Sequence, residues 1–322
     1  MTASTDRRAA AAQPQLVALT DAAPAELLAL SGAAHWNQTE EDWRAMLAMS
    51  QGLAWGVRVR DPGGGGSVLA ASTLVLPYQP DHAGEARQAP FAWISMVLVL
   101  PPWRGRGFAA ELLRRALDEL AARRLRPVLD ATPAGRPVYV KQGFVDGWGF
   151  TRWRRKAVAG AEVVPPPARG PMVGIRPRHP ADWPAIEALD RPAFGANRMP
   201  LLRLLSRRLP QAAWVAEKEG VLRGYLLGRD GRTALQLGPL VADDDRTALA
   251  LLQAALPAVG ATAAASGRDV IVDLRDPCRG IAAWLQGVGF EAERPFTRMV
   301  RGGGAPPGDA ARLVLMAGPE LG

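Results

Sequence analysis

Apolar residues along the chain form two kinds of run, some with the spacing of strands and others with the spacing of helices. Phe108, Leu112 and Leu120 recur at helical intervals, and charged residues occupy the opposite face. The glycine-rich residues 61–66 separate two strand-like runs and predict a hairpin. In the first half the pattern predicts strands at 16–19, 54–59, 68–76, 94–100, 126–130 and 148–156, and helices at 21–30, 39–50, 108–120 and 132–141.

A similar order of elements returns in the second half of the chain. Between the halves, residues 157–172 contain three consecutive prolines and predict a semi-rigid linker. We therefore expect one domain at 14–156 and a second at 173–322, each large enough for its own core. The second half is predicted to have strands at 173–176, 212–216, 222–227, 235–241, 270–274, 298–301 and 312–316, and helices at 181–189, 201–208, 246–256 and 280–286. The last two of these strands are expected to form a hairpin.

The strand predicted at 94–100 runs into a glycine turn at the start of the next helix. Pro101 and Pro102 end the strand, and Gly105 and Gly107 precede the helix. Since glycine has no Cβ, backbone N–H groups at such a turn can approach a ligand closely, and the helix adds the positive end of its dipole. This combination predicts an anion site, with phosphate as the expected anion.

The type of phosphate ligand is less clearly defined by the turn itself. Gly105, Gly107 and Ala110 have the spacing of a dinucleotide fingerprint, and Asp130 follows at about the expected twenty residues. A dinucleotide domain carries this turn in its first βα unit, however, whereas about ninety residues of helices and hairpin strands precede it here. A Walker loop is excluded because no Gly-Lys-Ser/Thr follows. A nucleotide-dependent oxidoreductase therefore stays open as a weaker alternative.

The turn belongs to a longer motif. The sequence Val99-x-Pro101-x-x-Arg104-x-x-Gly107-x-Ala109 resembles the acyl-CoA motif of the GNAT-type N-acetyltransferase superfamily. Residues 134–144, AGRPVYVKQGF, resemble the second hallmark of that family and follow at its usual spacing. The resemblance implies an α/β (α+β) fold of two tandem acyl-CoA N-acyltransferase (GNAT-like) domains, each with a mixed, mostly antiparallel sheet flanked by helices.

The resemblance also implies an activity, the transfer of an acetyl group from acetyl-CoA to an amine of a small molecule or peptide by direct attack in a ternary complex. Tyr139 matches the tyrosine that protonates the leaving thiolate in this family, since a phenol stays protonated at neutral pH. The alternative role is a tyrosine that only packs at a helix start. The resemblance places acetyl-CoA along the central strand and around the turn, at Val97, Leu98, Val99, Arg104, Gly105, Arg106, Gly107, Phe108 and Ala109.

The general base is not apparent from the motif. Many relatives carry a glutamate on the central strand, but residues 94–97, ISMV, contain none. A water relay to Asp130, Glu40 or Glu41 is one alternative, and an acceptor amine of low pKa that needs no base is the other.

The segment before the second helix is the predicted acceptor site. In the superfamily this segment lies over the acceptor side of the cleft, so we expect Trp36, Asn37 and Gln38 to bind the acceptor. In the alternative interpretation Trp36 only packs helices together with Trp43. Thr39 and Asp42 have nearly the spacing of a capping box, and Asp42 is expected to be a cap.

The second half departs from the family's motifs at two places. Three carboxylates, at 243–245, stand where the first half has its arginines and glycines, and they would repel a pyrophosphate. Trp284 falls roughly where Tyr139 lies in the first half. We therefore expect a degenerate, non-catalytic copy. The second domain has two alternative roles. Either it forms a wall of the acceptor cleft through residues 194–198 and Arg203, or it only stabilises the first domain.

Composition and charge narrow the remaining classes of function and binding partner. The formal net charge of +8 is spread along the chain without a dense basic run, which indicates a basic surface and no nucleic-acid partner. One cysteine, Cys278, and three scattered histidines predict neither a disulfide nor a metal site. No uninterrupted apolar run is long enough for a bilayer, so a cytoplasmic protein without a membrane partner is expected. A non-enzymatic acyl-CoA sensor is the other alternative, and the sequence does not indicate an oligomeric state.

Overall fold

The structure, a computed structural model, describes residues 13–61, 64–78, 89–157 and 173–322. The linker predicted at 157–172 lies outside these residues, apart from its first position.

The chain divides into two compact units, which are described one at a time. Unit 1 consists of Met1–Leu74 and Met96–Ala116, and unit 2 consists of Val75–Ser95 and Leu117–Gly322. The units therefore do not coincide with the two halves of the sequence, and the domain boundaries given above stay predictions.

Helices and strands of the first half follow the predicted order. The strand predicted to begin at Trp148 begins four residues earlier, directly after Gly143, whose left-handed φ of 81° suits the predicted end of the preceding helix. The elements are β1 (Gln15–Ala18), α1 (Pro24–Ala33), α2 (Glu40–Met49), β2 (Ala54–Arg60), β3 (Ser67–Tyr78), β4 (Phe91–Val99), α3 (Phe108–Ala122), β5 (Arg126–Ala131), α4 (Arg136–Lys141) and β6 (Phe144–Arg155).

The second half contains one helix that is much longer than predicted. The prediction ended it before Pro257, but the helix continues to Ser266, because Pro257 lies on its exposed side and an alanine-rich, helix-favouring stretch follows. The elements are β7 (Gly174–Pro177), α5 (Trp183–Phe194), α6 (Met199–Arg208), β8 (Trp214–Lys218), β9 (Val221–Arg229), β10 (Ala234–Ala242), α7 (Asp245–Ser266), β11 (Asp269–Arg275), α8 (Arg279–Gly287), β12 (Glu291–Arg301) and β13 (Leu313–Leu315).

Unit 1 contains an antiparallel meander of β1, β2 and the first part of β3. Gly56 in β2 permits the close packing of this meander, because a Cβ there would lie 2.6 Å from the Leu69 side chain. The indole Nε1 of Trp43 in α2 donates to the Ser31 hydroxyl of α1 at 3.2 Å, so Trp43 packs these two helices together. The packing role expected of Trp43 is confirmed.

Unit 2 is built on an exchange of strands between the halves of the sequence. Strand β12 of the second half lies between β5 and β6 of the first half, and β6 lies between β12 and β11. The start of β4 pairs in parallel with β5, with Trp93 opposite Val128. Phe150 of β6 stacks on Phe296 of β12 with ring centroids 5.0 Å apart. Neither half therefore completes its part of the sheet from its own residues.

Buried ion pairs accompany the exchanged strands. The guanidinium of Arg298 donates to both oxygens of Asp130 at 2.9 and 3.0 Å, and both side chains are almost fully buried. Arg298 also lies between two indole rings, 4.4 Å from Trp93 and 4.2 Å from Trp148. Because an unpaired buried charge is strongly unfavourable, these contacts hold β12 in one register.

The strand predicted at 312–316 was expected to form a hairpin with the preceding strand, and this prediction is wrong. The strands β10 and β11 pair in parallel at their first residues, and β13 enters beyond that point, where Leu315 lies opposite both Leu240 and Leu274. The residues after β13 are buried in unit 2 except for Pro319, which is partly buried and whose carbonyl accepts from the Trp93 indole at 2.9 Å. The chain itself therefore fills the space between β10 and β11.

Among the described residues, one helix is long and apolar enough to cross a membrane. This helix is α7, which meets this condition by length and composition only. The inward face of α7, including Leu251, Leu252 and Val259, belongs to the main hydrophobic core of unit 2. This packing is typical of the core helix of a globular domain.

Candidate active site

The turn between β4 and α3 has the backbone that the sequence predicted. A short 3-10 turn, Pro101–Trp103, follows β4, and Gly105 and Gly107 then adopt φ angles of 76° and 85°. These left-handed conformations are strained for residues with a Cβ. Among the residues that the structure describes, no atom outside the neighbouring residues lies within 4 Å of where a Cβ would be at either glycine. The surface above the turn is therefore open to a ligand.

Two arginines border this turn. Arg104 donates from Nε to the Val99 carbonyl at 3.2 Å, and the Arg106 guanidinium lies 4.5 Å from the Trp103 ring centroid. Both side chains are exposed. The first amides of an α-helix have no partner within the helix, so the start of α3 adds N–H donors and a partial positive charge. The residues present therefore fit the pyrophosphate of an acyl-CoA.

Strand β4 contains one residue, Met96, whose backbone conformation could not be predicted from the sequence. Met96 is left-handed, with φ of 52°, and its carbonyl accepts a hydrogen bond of 2.8 Å from the Ser72 hydroxyl of β3. No sequence signal indicates this conformation, because methionine rarely adopts it. Val97, Leu98 and Val99, the predicted pantetheine-binding residues, follow directly.

The predicted acceptor segment lies in unit 1 between α1 and α2. Trp36 is half-buried, whereas Asn37 and Gln38 are only 5% and 3% exposed. The Gln38 side-chain oxygen is buried and has no hydrogen-bond partner within the part of the chain that the structure describes. Buried polar atoms are seldom left unpaired, so this oxygen is available to a donor from a ligand or water.

Thr39 and Asp42 form the capping box expected at the start of α2. The Thr39 amide donates to the Asp42 carboxylate at 2.8 Å, and the Asp42 amide donates to the Thr39 hydroxyl at 3.2 Å. The prediction that Asp42 is a cap is confirmed.

Tyr139 lies in α4 of unit 2. Its ring packs edge-on against Phe144 with centroids 6.0 Å apart, and it is half-buried. Burial raises the pKa of Tyr139 to about 12. The phenol therefore keeps its proton at any physiological pH.

Family comparisons agree with both halves of the chain. The Acetyltransferase (GNAT) family model matches residues 30–144, and an Acetyltransferase (GNAT) domain model matches residues 186–314. The chain belongs to the GNAT acetyltransferases and carries two GNAT domains in tandem. The family uses acyl-CoA as co-substrate and acetylates amines, so the tandem GNAT protein is an acetyltransferase.

Solved structures show the same tandem fold. A candidate acetyltransferase from Pyrococcus horikoshii has a TM-score of 0.68 at 18% identity, with 96% of each chain covered. A GCN5-related N-acetyltransferase from Sphaerobacter thermophilus has a TM-score of 0.59 at 17% identity, covering 91% of this chain and 97% of that one. A tandem GNAT protein from the clavulanic acid biosynthesis pathway has a TM-score of 0.60 at 15% identity, covering 89% and 98%. No curated protein matches the sequence significantly.

Asp130 is not available for either of the two roles suggested by the sequence, ribose binding in a dinucleotide site and proton relay from the acceptor amine. Its carboxylate is held by Arg298, so in the tandem GNAT protein it is not free to bind a ribose or to relay a proton. Glu40, another proposed relay residue, is half-exposed and pairs with Arg44 at 2.6 Å. The dinucleotide alternative thereby loses its acidic residue, and the family match makes the protein an acetyltransferase.

The second GNAT copy has a different surface at the matching helix start. Asp244 caps α7 by accepting from the Thr247 amide at 2.7 Å, and Asp243 forms ion pairs with Arg223 and Arg312. A pocket of about 380 Å³ at this helix start is lined by three basic residues, two acidic residues and two uncharged ones: Lys218, Arg223, Arg246, Asp243, Asp244, Val173 and Thr247. Trp284, which stands roughly where the first copy has its tyrosine, is buried.

Three of the six second-half residues suggested as a cleft wall are buried: Phe194, Ala196 and Arg198. Arg198 is only 2% exposed. Its guanidinium donates to the Asp190 carboxylate at 2.9 Å and to the Gly322 carbonyl at 2.8 Å. Phe194 is also buried, and the Asn197 side-chain oxygen accepts from the Met199 amide at 2.9 Å, at the start of α6. One partner of Arg198, the Gly322 carbonyl, lies 124 residues further along the chain, so local spacing does not indicate this contact. Arg203 is exposed and stacks on Trp183 at 4.8 Å.

Proposed function

We propose that the first GNAT copy transfers the acetyl group of acetyl-CoA to an amine of a small molecule or peptide, by direct attack within a ternary complex. The observation that carries this proposal is the turn before α3, with two left-handed glycines, open space above them and two exposed arginines beside them. Such a turn provides several N–H donors and positive charge for a pyrophosphate.

Acetyl-CoA would be held by β4 and by the turn. Backbone groups of Val97, Leu98 and Val99 would bind the pantetheine arm as an added strand binds. The phosphates would lie at the turn, and bound acetyl-CoA supplies an activated acyl group on a thiol leaving group. The residues of the turn are Arg104, Gly105, Arg106, Gly107, Phe108 and Ala109.

The acceptor amine would enter from the side of Trp36, Asn37 and Gln38. The unpaired side-chain oxygen of Gln38 is suited to accept a hydrogen bond from an amine. Residues 94–97 of β4 provide no carboxylate base. We therefore infer that the acceptor either has a low pKa and reaches the site as a neutral amine, or loses its proton through a water relay to Glu41. A strand amide, that of Val97 or Leu98, would stabilise the negative charge that develops on the carbonyl oxygen.

Tyr139 is proposed to donate the proton that the departing thiolate needs. Its raised pKa of about 12 keeps it in the donating form, and the sign of the shift gives a pH prediction. The fraction of protonated Tyr139 stays near one from about pH 7 to about pH 10, so turnover should not fall with rising pH over this range through this group. Steady-state kcat measured across the range, with chemistry rate-limiting, checks this. A decline in the wild type that is absent from Tyr139→Phe would contradict it.

The second copy is proposed to bind no acyl-CoA. Its space between the two parallel strands β10 and β11 holds β13, where the first copy would take the pantetheine arm. Carboxylates of Asp243 and Asp244 at the start of α7 would also repel a pyrophosphate. On this proposal the second copy is a degenerate one that contributes strands to the fold.

Calorimetry tests both halves of this proposal. Acetyl-CoA should bind the wild type with one site per chain, and Gly107→Glu should abolish binding, because the new carboxylate would lie at the phosphate position and φ of 85° is strained for glutamate. Gly220→Glu is the matched control, since Gly220 is also exposed and left-handed, with open space around it, but lies in the β8–β9 turn. Retained affinity in Gly107→Glu would show that the phosphate site is misplaced. Two sites per chain would disprove the degenerate second copy.

A further inference from the structure

The Ser72 hydroxyl makes a buried hydrogen bond to the backbone of the central strand. Ser72 is fully buried in β3, and its Oγ donates to the Met96 carbonyl oxygen at 2.8 Å. Met96 is 1% exposed and is the left-handed residue of β4. Both residues belong to unit 1.

The peptide that Ser72 binds also carries the Val97 amide. A trans peptide is planar, and its C=O and N–H point in opposite directions. The peptide that begins with the Met96 carbonyl ends with the Val97 N–H, so the direction of one group fixes the direction of the other. Ser72 therefore controls the aim of the Val97 amide from the opposite side of the same peptide.

Two features indicate that this peptide is turned out of the ladder of the sheet. Side chains stand roughly perpendicular to a sheet, so an oxygen that accepts from the Ser72 hydroxyl faces away from the plane of the strands. A left-handed residue within a strand also rotates its peptide relative to its neighbours, as in a β-bulge. Such conformations are costly for a residue with a Cβ and persist only where the surroundings hold them.

We propose that Ser72 is a positioning residue that aims and polarises the Val97 amide at the reacting carbonyl. The inference rests on the proposed role of that amide in the first copy. Because hydrogen bonds in a chain polarise one another, a donor on the Met96 carbonyl makes the Val97 N–H a stronger donor. Ser72 would thus act on the reaction without contacting either substrate.

Ser72→Ala should lower kcat and leave the affinity for acetyl-CoA nearly unchanged. Loss of an oxyanion donor costs about 10² to 10³ in rate, and a misdirected donor should cost somewhat less, roughly 10- to 100-fold. Because no acceptor is required, the slow hydrolysis of acetyl-CoA by the enzyme serves as the assay, alongside a panel of primary amines. Ser50→Ala is the matched control, since Ser50 is equally buried and its hydroxyl donates to the Leu47 carbonyl at 2.7 Å, in α2.

A second substitution distinguishes an effect on the orientation of the Val97 amide from an effect on the stability of the protein. Glycine adopts a left-handed conformation without strain. Met96→Gly introduced into Ser72→Ala should therefore recover part of the lost kcat, although it removes a buried side chain and lowers the melting temperature further. A purely structural role for Ser72 predicts the opposite, because kcat would follow stability.

The aim of the amide is also measurable without any ligand. Only three peptide bonds join Met to Val, at 96–97, 172–173 and 299–300, so ¹³C-carbonyl methionine with ¹⁵N-valine isolates three NMR signals. In Ser72→Ala the Met96 carbonyl and the Val97 amide proton should both move upfield, because each loses polarisation. The other two signals should stay in place as internal controls.

These measurements distinguish failure of this inference from failure of the proposed function. If the Val97 signal does not move in Ser72→Ala, Ser72 has no positioning role, whatever the turnover of the wild type. If the Val97 signal moves and Ser72→Ala turns over acetyl-CoA as fast as the wild type, the Val97 amide is not the oxyanion donor and the inference falls with that part of the mechanism.

Discussion

Replacing Tyr139 by phenylalanine is expected to lower kcat by about 10² to 10⁴ while the affinity for acyl-CoA stays nearly the same. The hydroxyl matters mainly as the thiolate departs, and its raised pKa of about 12 keeps it protonated at working pH. The aromatic ring, which packs against Phe144, is retained in the variant. The substitution therefore removes the proton and leaves the packing in place.

The measurement compares kcat and acetyl-CoA affinity in conditions where chemistry limits the rate. Tyr225→Phe serves as the control, because the Tyr225 hydroxyl donates to Asp190 in the second half and should affect stability without lowering kcat. Wild-type turnover in Tyr139→Phe would leave the phenol with a packing role only.

Replacing Asp130 by alanine is expected to destabilise the protein by about 3–5 kcal/mol. The substitution leaves Arg298 buried and charged between two indole rings, with no carboxylate to pair with it. Replacing both partners with apolar residues, Asp130→Leu with Arg298→Met, should recover most of this loss, because a buried pair gains little over good apolar packing.

Denaturant unfolding of the single and double variants provides their free energies of unfolding. Asp146→Ala is the matched control, because Asp146 also forms an ion pair with an arginine, Arg136, but at the surface. Surface pairs contribute little, so this variant should unfold close to the wild type. If Asp130→Ala is as stable as Asp146→Ala, the buried pair does not hold β12 in the sheet.

Local features of the fold could be predicted from the sequence because they depend on nearby residues. The left-handed glycines at 105 and 107, the capping box of Thr39 and Asp42, and most helices and strands follow from spacing and residue type. Each of these features is determined by residues only a few positions apart, through backbone geometry and hydrogen bonds between neighbouring residues.

Features that depend on distant partners could not be predicted. Asp130 looked available because its partner, Arg298, is 168 residues away, and β13 looked like a hairpin strand because its neighbours in space, β10 and β11, are not its neighbours in sequence. Met96 illustrates a third kind of limit. Its conformation contradicts its own preference and is held by a hydroxyl on another strand.

The exchange of β6 and β12 also affects how the protein is made. During synthesis the first half leaves the ribosome before β12 exists, since Asp130 and Arg298 are 168 residues apart. At about 5–20 residues per second, β5 and β6 wait roughly ten to thirty seconds without their common neighbour. Unpaired strand edges are prone to aggregation in that interval. The nascent tandem protein should therefore depend on chaperones more than a chain whose two domains close independently.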